Sequence, residues 1–176
     1  MKAFLLIPLS IMPYATSAQP LRTVPLVHLD RYAGKWYEIA SYPQRFQKGC
    51  HCTTATYTRS DKGYLVVENQ CNRDTAGGKL SSVKGKAFAV EGSGNAKLKV
   101  QFFWPFAGKY WIIDLAQDYS YAVVGHPNRK YLWILSRDPL LPSDVYTGIL
   151  TRLVANGYDT GKLQLTDQRW LPTMKY

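Results

Sequence analysis

From residue 53 onward the chain is a succession of short stretches with strand character, spaced at intervals of about ten residues and separated by turn signals. Residues 53–59 are rich in threonine and tyrosine, and Ser60-Asp61-Lys62-Gly63 turns the chain into residues 64–71. Residues 80–91 follow a loop containing Gly77 and Gly78, and Gly92-Ser93-Gly94-Asn95 makes the next turn. Leu98, Val100 and Phe102 then alternate with Lys99 and Gln101, the period of two expected of a strand with one face buried. A turn through residues 104–108 leads into residues 109–115, 119–125 and 131–137. With residues 36–42 ahead of them, these make eight strands with short links, the pattern of an antiparallel meander. Such a sheet has two raw edges, and closing eight strands into an up-and-down barrel removes both.

The pattern changes once. After Asp138-Pro139, Val145, Ile149, Leu150, Leu153 and Val154 recur at helical spacing, with Ser143 expected as N-cap and Gly157 as the residue beyond the C-cap. Asp144 sits at the positive end of this helix. The apolar stripe needs a surface, and the outside of the barrel is the one available. A short helical turn at residues 29–32, an extended leader at 19–27 and a last short strand at 163–166 complete the expected architecture: all-β, with one C-terminal α-helix. No repeat or linker divides residues 19–176, which are read as a single domain.

Residues 1–18 read as a secretory signal peptide. Lys2 precedes a ten-residue apolar run ending at Met12, and Thr16-Ser17-Ala18 supplies small residues for cleavage. Ten apolar residues do not span a bilayer as a helix. No cysteine precedes Cys50, so lipidation of a new N-terminal cysteine is not expected, and the mature protein is placed in the periplasm or outside the cell. The net charge of +10 falls to +9 without Lys2, a surface that attracts anionic membranes. The clustered lysines, Lys84 with Lys86 and Lys97 with Lys99, alternate along strands, so nucleic acid is not an expected partner. Three cysteines, Cys50, Cys52 and Cys71, predict one disulfide and one remaining thiol in an exported chain. Only His51 stands beside the Cys-x-Cys pair, too few ligands for zinc, and no metal or cofactor is expected.

Trp36 opens the first strand just after Gly34, and Arg137 ends the eighth. An indole of this size needs a wall and an acceptor for its N–H, and a guanidinium lies flat on an indole face far better than an ammonium does. The pair is read as closing the bottom of the barrel.

Gly34-x-Trp36-Tyr37, Asp118-Tyr119-Ser120-Tyr121-Ala122 and Arg137 resemble, in order, the three short motifs of the lipocalin family. Phe103-Trp104-Pro105-Phe106 and residues 131–137 look most like bacterial lipocalins and their apolipoprotein D-like relatives. The resemblance runs from about Leu29 to Gln168. It implies a calyx closed at one end that binds a small hydrophobic ligand, with Trp36 and Arg137 packed together at the closed end as a structural pair. It also implies pocket positions at Tyr57, Asn69 and Trp133, and a disulfide between Cys50 and Cys71 with Cys52 as the alternative partner. Alternation from Arg137 sends Leu135, Trp133 and Tyr131 inward and Leu132, Ile134 and Ser136 outward. Alternation alone adds Phe102 and Tyr121 as cavity candidates. Asn69 sets a polar group among apolar walls, suited to a carboxylate or ester oxygen.

The expected function is non-enzymatic binding, transport or scavenging of a fatty acid, lysophospholipid or similar lipid, by a monomer or homodimer. Two alternatives remain open on sequence. One is a lipid-directed enzyme using a thiol of the mouth loop, although His51 is the only nearby helper and His28 and His126 are remote. The other is a haem or tetrapyrrole binder using Tyr57 or Tyr121.

Overall fold

In a computed structural model, residues 19–169 are described; the expected signal segment at 1–18 lies outside them, as do residues 170–176. The strands are β1 (Gly34–Ser41), β2 (Cys50–Arg59), β3 (Leu65–Arg73), β4 (Leu80–Ala89), β5 (Lys97–Phe103), β6 (Phe106–Leu115), β7 (Tyr121–Gly125) and β8 (Leu132–Ser136). Each pairs antiparallel with the next, and β1 pairs with both β8 and β2, so the sheet closes on itself. This is the eight-stranded barrel anticipated from the alternation. A two-residue strand, β9 (Gln164–Leu165), adds to β1.

Alternation along the strands builds two cores, one on each side of the barrel wall. Trp36, Tyr57, Leu65, Val67, Leu98, Ile112, Ala122, Val124 and Leu135 meet inside. Ile39, Ile113, Val123, Leu132 and Ile134 point outward and are covered by Ile149 and Leu153 of helix α2 (Ser143–Ala155). The helix therefore buries a second apolar face that the barrel alone would leave in water, as its 3.6-residue periodicity required. Three details differ from expectation. Pro142 rather than Ser143 holds the N-cap position, with no side-chain cap, because the fixed proline φ already suits helix entry. Val154 is exposed, so the buried stripe is narrower than the sequence pattern suggests. Strand β6 begins at Phe106, leaving Trp104-Pro105, joined by a cis peptide bond, as the whole β5–β6 turn.

The floor is made from the N-terminal segment. Its backbone crosses beneath the barrel, with Val24 N–H donating to the Ile112 carbonyl at 3.0 Å and Val27 N–H to the Gly94 carbonyl at 2.8 Å. Gly94, at φ +57°, is needed there: a Cβ would lie 2.1 Å from the Pro25 carbonyl oxygen. The short helix α1 (Leu29–Tyr32) follows, and its last carbonyls meet Arg137. The guanidinium donates to the carbonyls of Arg31, Tyr32, Ala33 and Lys35 while lying 3.7 Å above the Trp36 ring centroid. Trp36 is fully buried, and its indole N–H donates to the Tyr32 carbonyl at 2.8 Å. The indole N–H and both terminal nitrogens of the guanidinium thus have partners.

Replacing Trp36 with alanine removes the largest buried side chain of the floor. The expected loss is about 3–5 kcal/mol of stability, measured by urea denaturation. An unchanged unfolding midpoint would refute the structural role.

Candidate ligand cavity

Above this floor the barrel encloses a cavity of about 530 Å³, within the usual range of small-molecule sites, about 300–1,000 Å³. Its lower walls are Tyr57, Val67, Val100, Tyr110 and Leu135. At the other end it opens between Phe46, Phe103, Phe106, His126 and Tyr131. Of the residues singled out from sequence, Tyr57, Asn69, Trp133, Leu135 and Phe102 line it. Phe102 turns in beside Gly85, where a Cβ would stand 2.8 Å from the phenyl ring, so the glycine makes the room the ring occupies.

Tyr121 is a correction. It lies on the outer face, where its hydroxyl accepts from Arg152 Nη2 of α2 at 2.8 Å. Arg152 Nε also donates to Asp114 at 2.7 Å, so the three side chains clip the helix to β6 and β7. The reason is register: Tyr121 stands opposite Ser136 and Val123 opposite Ile134, and paired residues share a face. Ser136 and Ile134 were already assigned outward, and β7 follows them.

The cysteine expectation divides similarly. Cys50 and Cys71 are bonded, with Cα atoms 5.3 Å apart, and Cys52 is the free thiol. The Cys-x-Cys pair lies within β2 rather than in a mouth loop. Cys52 occupies a bulge at φ 51°, its N–H donates to the Asp167 carbonyl, and it is not among the cavity-lining residues.

Sequence reasoning missed two polar groups of the site. Glu38 is buried; its Oε1 accepts from Ser41 and Thr166, and its Oε2 from Gln47 Nε2 at 2.7 Å. Gln47 Oε1 in turn accepts from the Trp133 indole N–H at 3.2 Å, so this network holds Trp133 in place beside the mouth. Tyr131 stacks on the Trp133 ring at an interplanar angle of 9°. Counting alternate positions from Trp36 reaches Glu38 and would have flagged it. The second missed feature is on the floor. The Tyr110 hydroxyl bonds to those of Tyr32 at 2.7 Å and Tyr57 at 2.9 Å. Burial pushes the pKa of all three phenols above the ordinary tyrosine value, and mutual repulsion adds to this for Tyr32 and Tyr110.

A barrel sealed at one end, open at the other and hollow between defines a calyx, a container for one small ligand. Residues 27–168 match the family described as lipocalin-like domain, and the chain belongs to the lipocalin family. It is 40% identical over 151 residues to the outer membrane lipoprotein Blc of Escherichia coli K12, covering 84% of each chain. It is 38% identical to apolipoprotein D of Mus musculus, covering 82% of this chain and 78% of that one. Among solved structures, insecticyanin of Manduca sexta superposes with a TM-score of 0.69 at 22% identity, over 88% of this chain and 87% of that one, a likeness of fold.

The tyrosine cluster has a consequence for pH. Above about pH 10 the phenols ionise in the unfolded chain but stay protonated in the barrel, so the folded state holds more protons and stability falls as pH rises. Alkaline titration followed by tyrosine absorbance should show a group of phenols that ionise only as the barrel unfolds. Smooth titration of every tyrosine before unfolding would contradict this.

Proposed function

We propose that this protein binds a fatty acid, lysophospholipid or similar amphiphile in its barrel and carries or sequesters it without catalysing a reaction. The observation that carries this reading is the cavity itself: floored by the core around Trp36, walled mainly by apolar side chains, and open at an aromatic mouth. Burial of an alkyl chain contributes about 0.8 kcal/mol per methylene, so affinity needs no specialised chemistry in the walls. Asn69 on the cavity lining supplies a polar partner for a headgroup. The thiol-enzyme alternative is not favoured, because Cys52 stands off the cavity lining. The haem alternative loses Tyr121 to the outer face, and the Tyr57 hydroxyl is bonded to Tyr110.

Export is part of the proposal, with residues 1–18 as the signal. A Cys50–Cys71 bridge fits an oxidising compartment, and the E. coli relative is named for the outer membrane. The mouth is proposed to face an anionic bilayer. Phe103, Trp104 and Phe106, at the β5–β6 turn, are 72%, 85% and 77% exposed. Below them on the outer wall, Lys99 stands directly opposite Lys109, a like-charge pairing that an anionic surface relieves.

Titration of the delipidated protein with saturated fatty acids, followed by tryptophan fluorescence, tests the ligand class. Affinity should rise roughly ten- to twenty-fold for each two methylenes added until the chain outgrows the cavity; no response to any lipid would sink the reading. Flotation with phosphatidylglycerol vesicles should recover the protein, with little recovery on phosphatidylcholine. Trp104→Ser should weaken recovery without changing fatty-acid affinity, and equal recovery on both lipids would remove the electrostatic part.

A further inference from the structure

The floor of the cavity has an unspent hydrogen-bond donor. Tyr32, Tyr57 and Tyr110 carry three phenolic protons, and among the described residues their hydroxyls make two hydrogen bonds, both centred on the Tyr110 oxygen. One proton therefore remains in either arrangement. If Tyr110 donates to Tyr32, the spare proton is that of Tyr32. If Tyr32 and Tyr57 both donate to Tyr110, whose oxygen has two lone pairs, the spare proton belongs to Tyr110. The three rings are not equally reachable. Tyr32 is 0% exposed and off the cavity lining, and Tyr57 is 3% exposed. Tyr110 lines the cavity and keeps accessible surface. A ligand with an acceptor at its inner end selects the second arrangement and takes the Tyr110 proton.

We infer that the floor is a subsite for a neutral oxygen acceptor, such as a ketone, aldehyde or ester carbonyl, carried on the end of the ligand that enters first. This rests on the proposal that the barrel takes an apolar chain, and specifies what that chain bears at its deep end. A carboxylate does not suit the position. It would be stripped of water among Tyr32, Trp36, Tyr57 and Leu135, and Arg137 beneath Trp36 is already bound to four backbone carbonyls. An unsubstituted alkyl end fits sterically but leaves the proton without a partner, a cost that a carbonyl oxygen removes. The chain thus distinguishes oxygenated from plain hydrocarbon ends at the floor, while Asn69 serves the other end.

The test compares 2-decanone with decane on the delipidated full-length protein. Measured against each probe's own partitioning from water into hexane, wild type should favour the ketone over the alkane about five-fold or more. In the doubly substituted Tyr57→Phe, Tyr110→Phe protein, ring packing is kept and both reachable hydroxyls are gone, so this excess should vanish while decane binds at least as well as before. Both positions must change, because Tyr110→Phe alone releases the Tyr57 proton. A measurement on wild type does not depend on the variant folding: the carbonyl stretch of bound 2-decanone should fall below its frequency in hexane. Absence of this excess in wild type, an unshifted stretch, or an excess that survives the double substitution would each overturn the subsite and leave lipid binding intact. Failure of both probes to bind would overturn the apolar cavity reading together with it.

Discussion

The structure depends first on the stacking of Arg137 over Trp36. A barrel of eight strands is open at both ends, and becomes a container only when one end is sealed without burying unpaired polar groups. The guanidinium meets that requirement in one plane. Its flat face covers the indole, and its edge collects the carbonyls of Arg31, Tyr32 and Ala33 at the end of the short helix and of Lys35 in the first strand. An ammonium has neither the flat face nor the fork of donors. The pair therefore joins the leader, the first strand and the eighth at a single point, and the cavity is defined as whatever space remains above it.

The second constraint is that a single-layered wall must serve two cores. On β8, Trp133 and Leu135 face the ligand space while Leu132 and Ile134 are fully buried beneath α2. Stability is thereby shared between faces: the outer core is tightly packed, so the inner face is free to leave a void. Arg152, bridging Asp114 and Tyr121, fixes the helix at the same wall from the polar side. The hollow is held open by packing elsewhere, which is what a binding barrel requires of its scaffold.

Much of this was legible in the sequence because the signals were local. Strand alternation, turn residues, the 3.6-residue stripe and the motif around Trp36 each report on neighbouring positions, and together they specify a closed barrel with one external helix. The facing of β8 was readable because Arg137 anchored its parity. Strand β7 had no such anchor: Tyr121 was assigned inward from alternation alone, and only its pairing with Ser136 decides the matter. Tyr110 escaped notice for a related reason. Its importance lies in meeting Tyr32 and Tyr57, residues 78 and 53 positions away, and no local pattern encodes that meeting. The aromatic rim was visible as Phe103-Trp104-Pro105-Phe106 but was read as a turn, since exposure of apolar side chains is the outcome that composition least predicts.

The strap beneath the barrel bears on when the protein can fold. Val24, Val27 and His28 are among the earliest residues of the described chain, yet they bond to Ile112, Gly94 and Tyr119, and the floor they form is completed by Arg137. Nothing local can hold the leader in place before those partners exist. A chain emerging in order from the ribosome must therefore wait until its sixth strand is made before its first segment has both backbone partners, and until the eighth before the floor is closed. Contacts of such long sequence separation make folding slow and late, and a chain that stays open until it is nearly complete is one that translocation machinery can still thread.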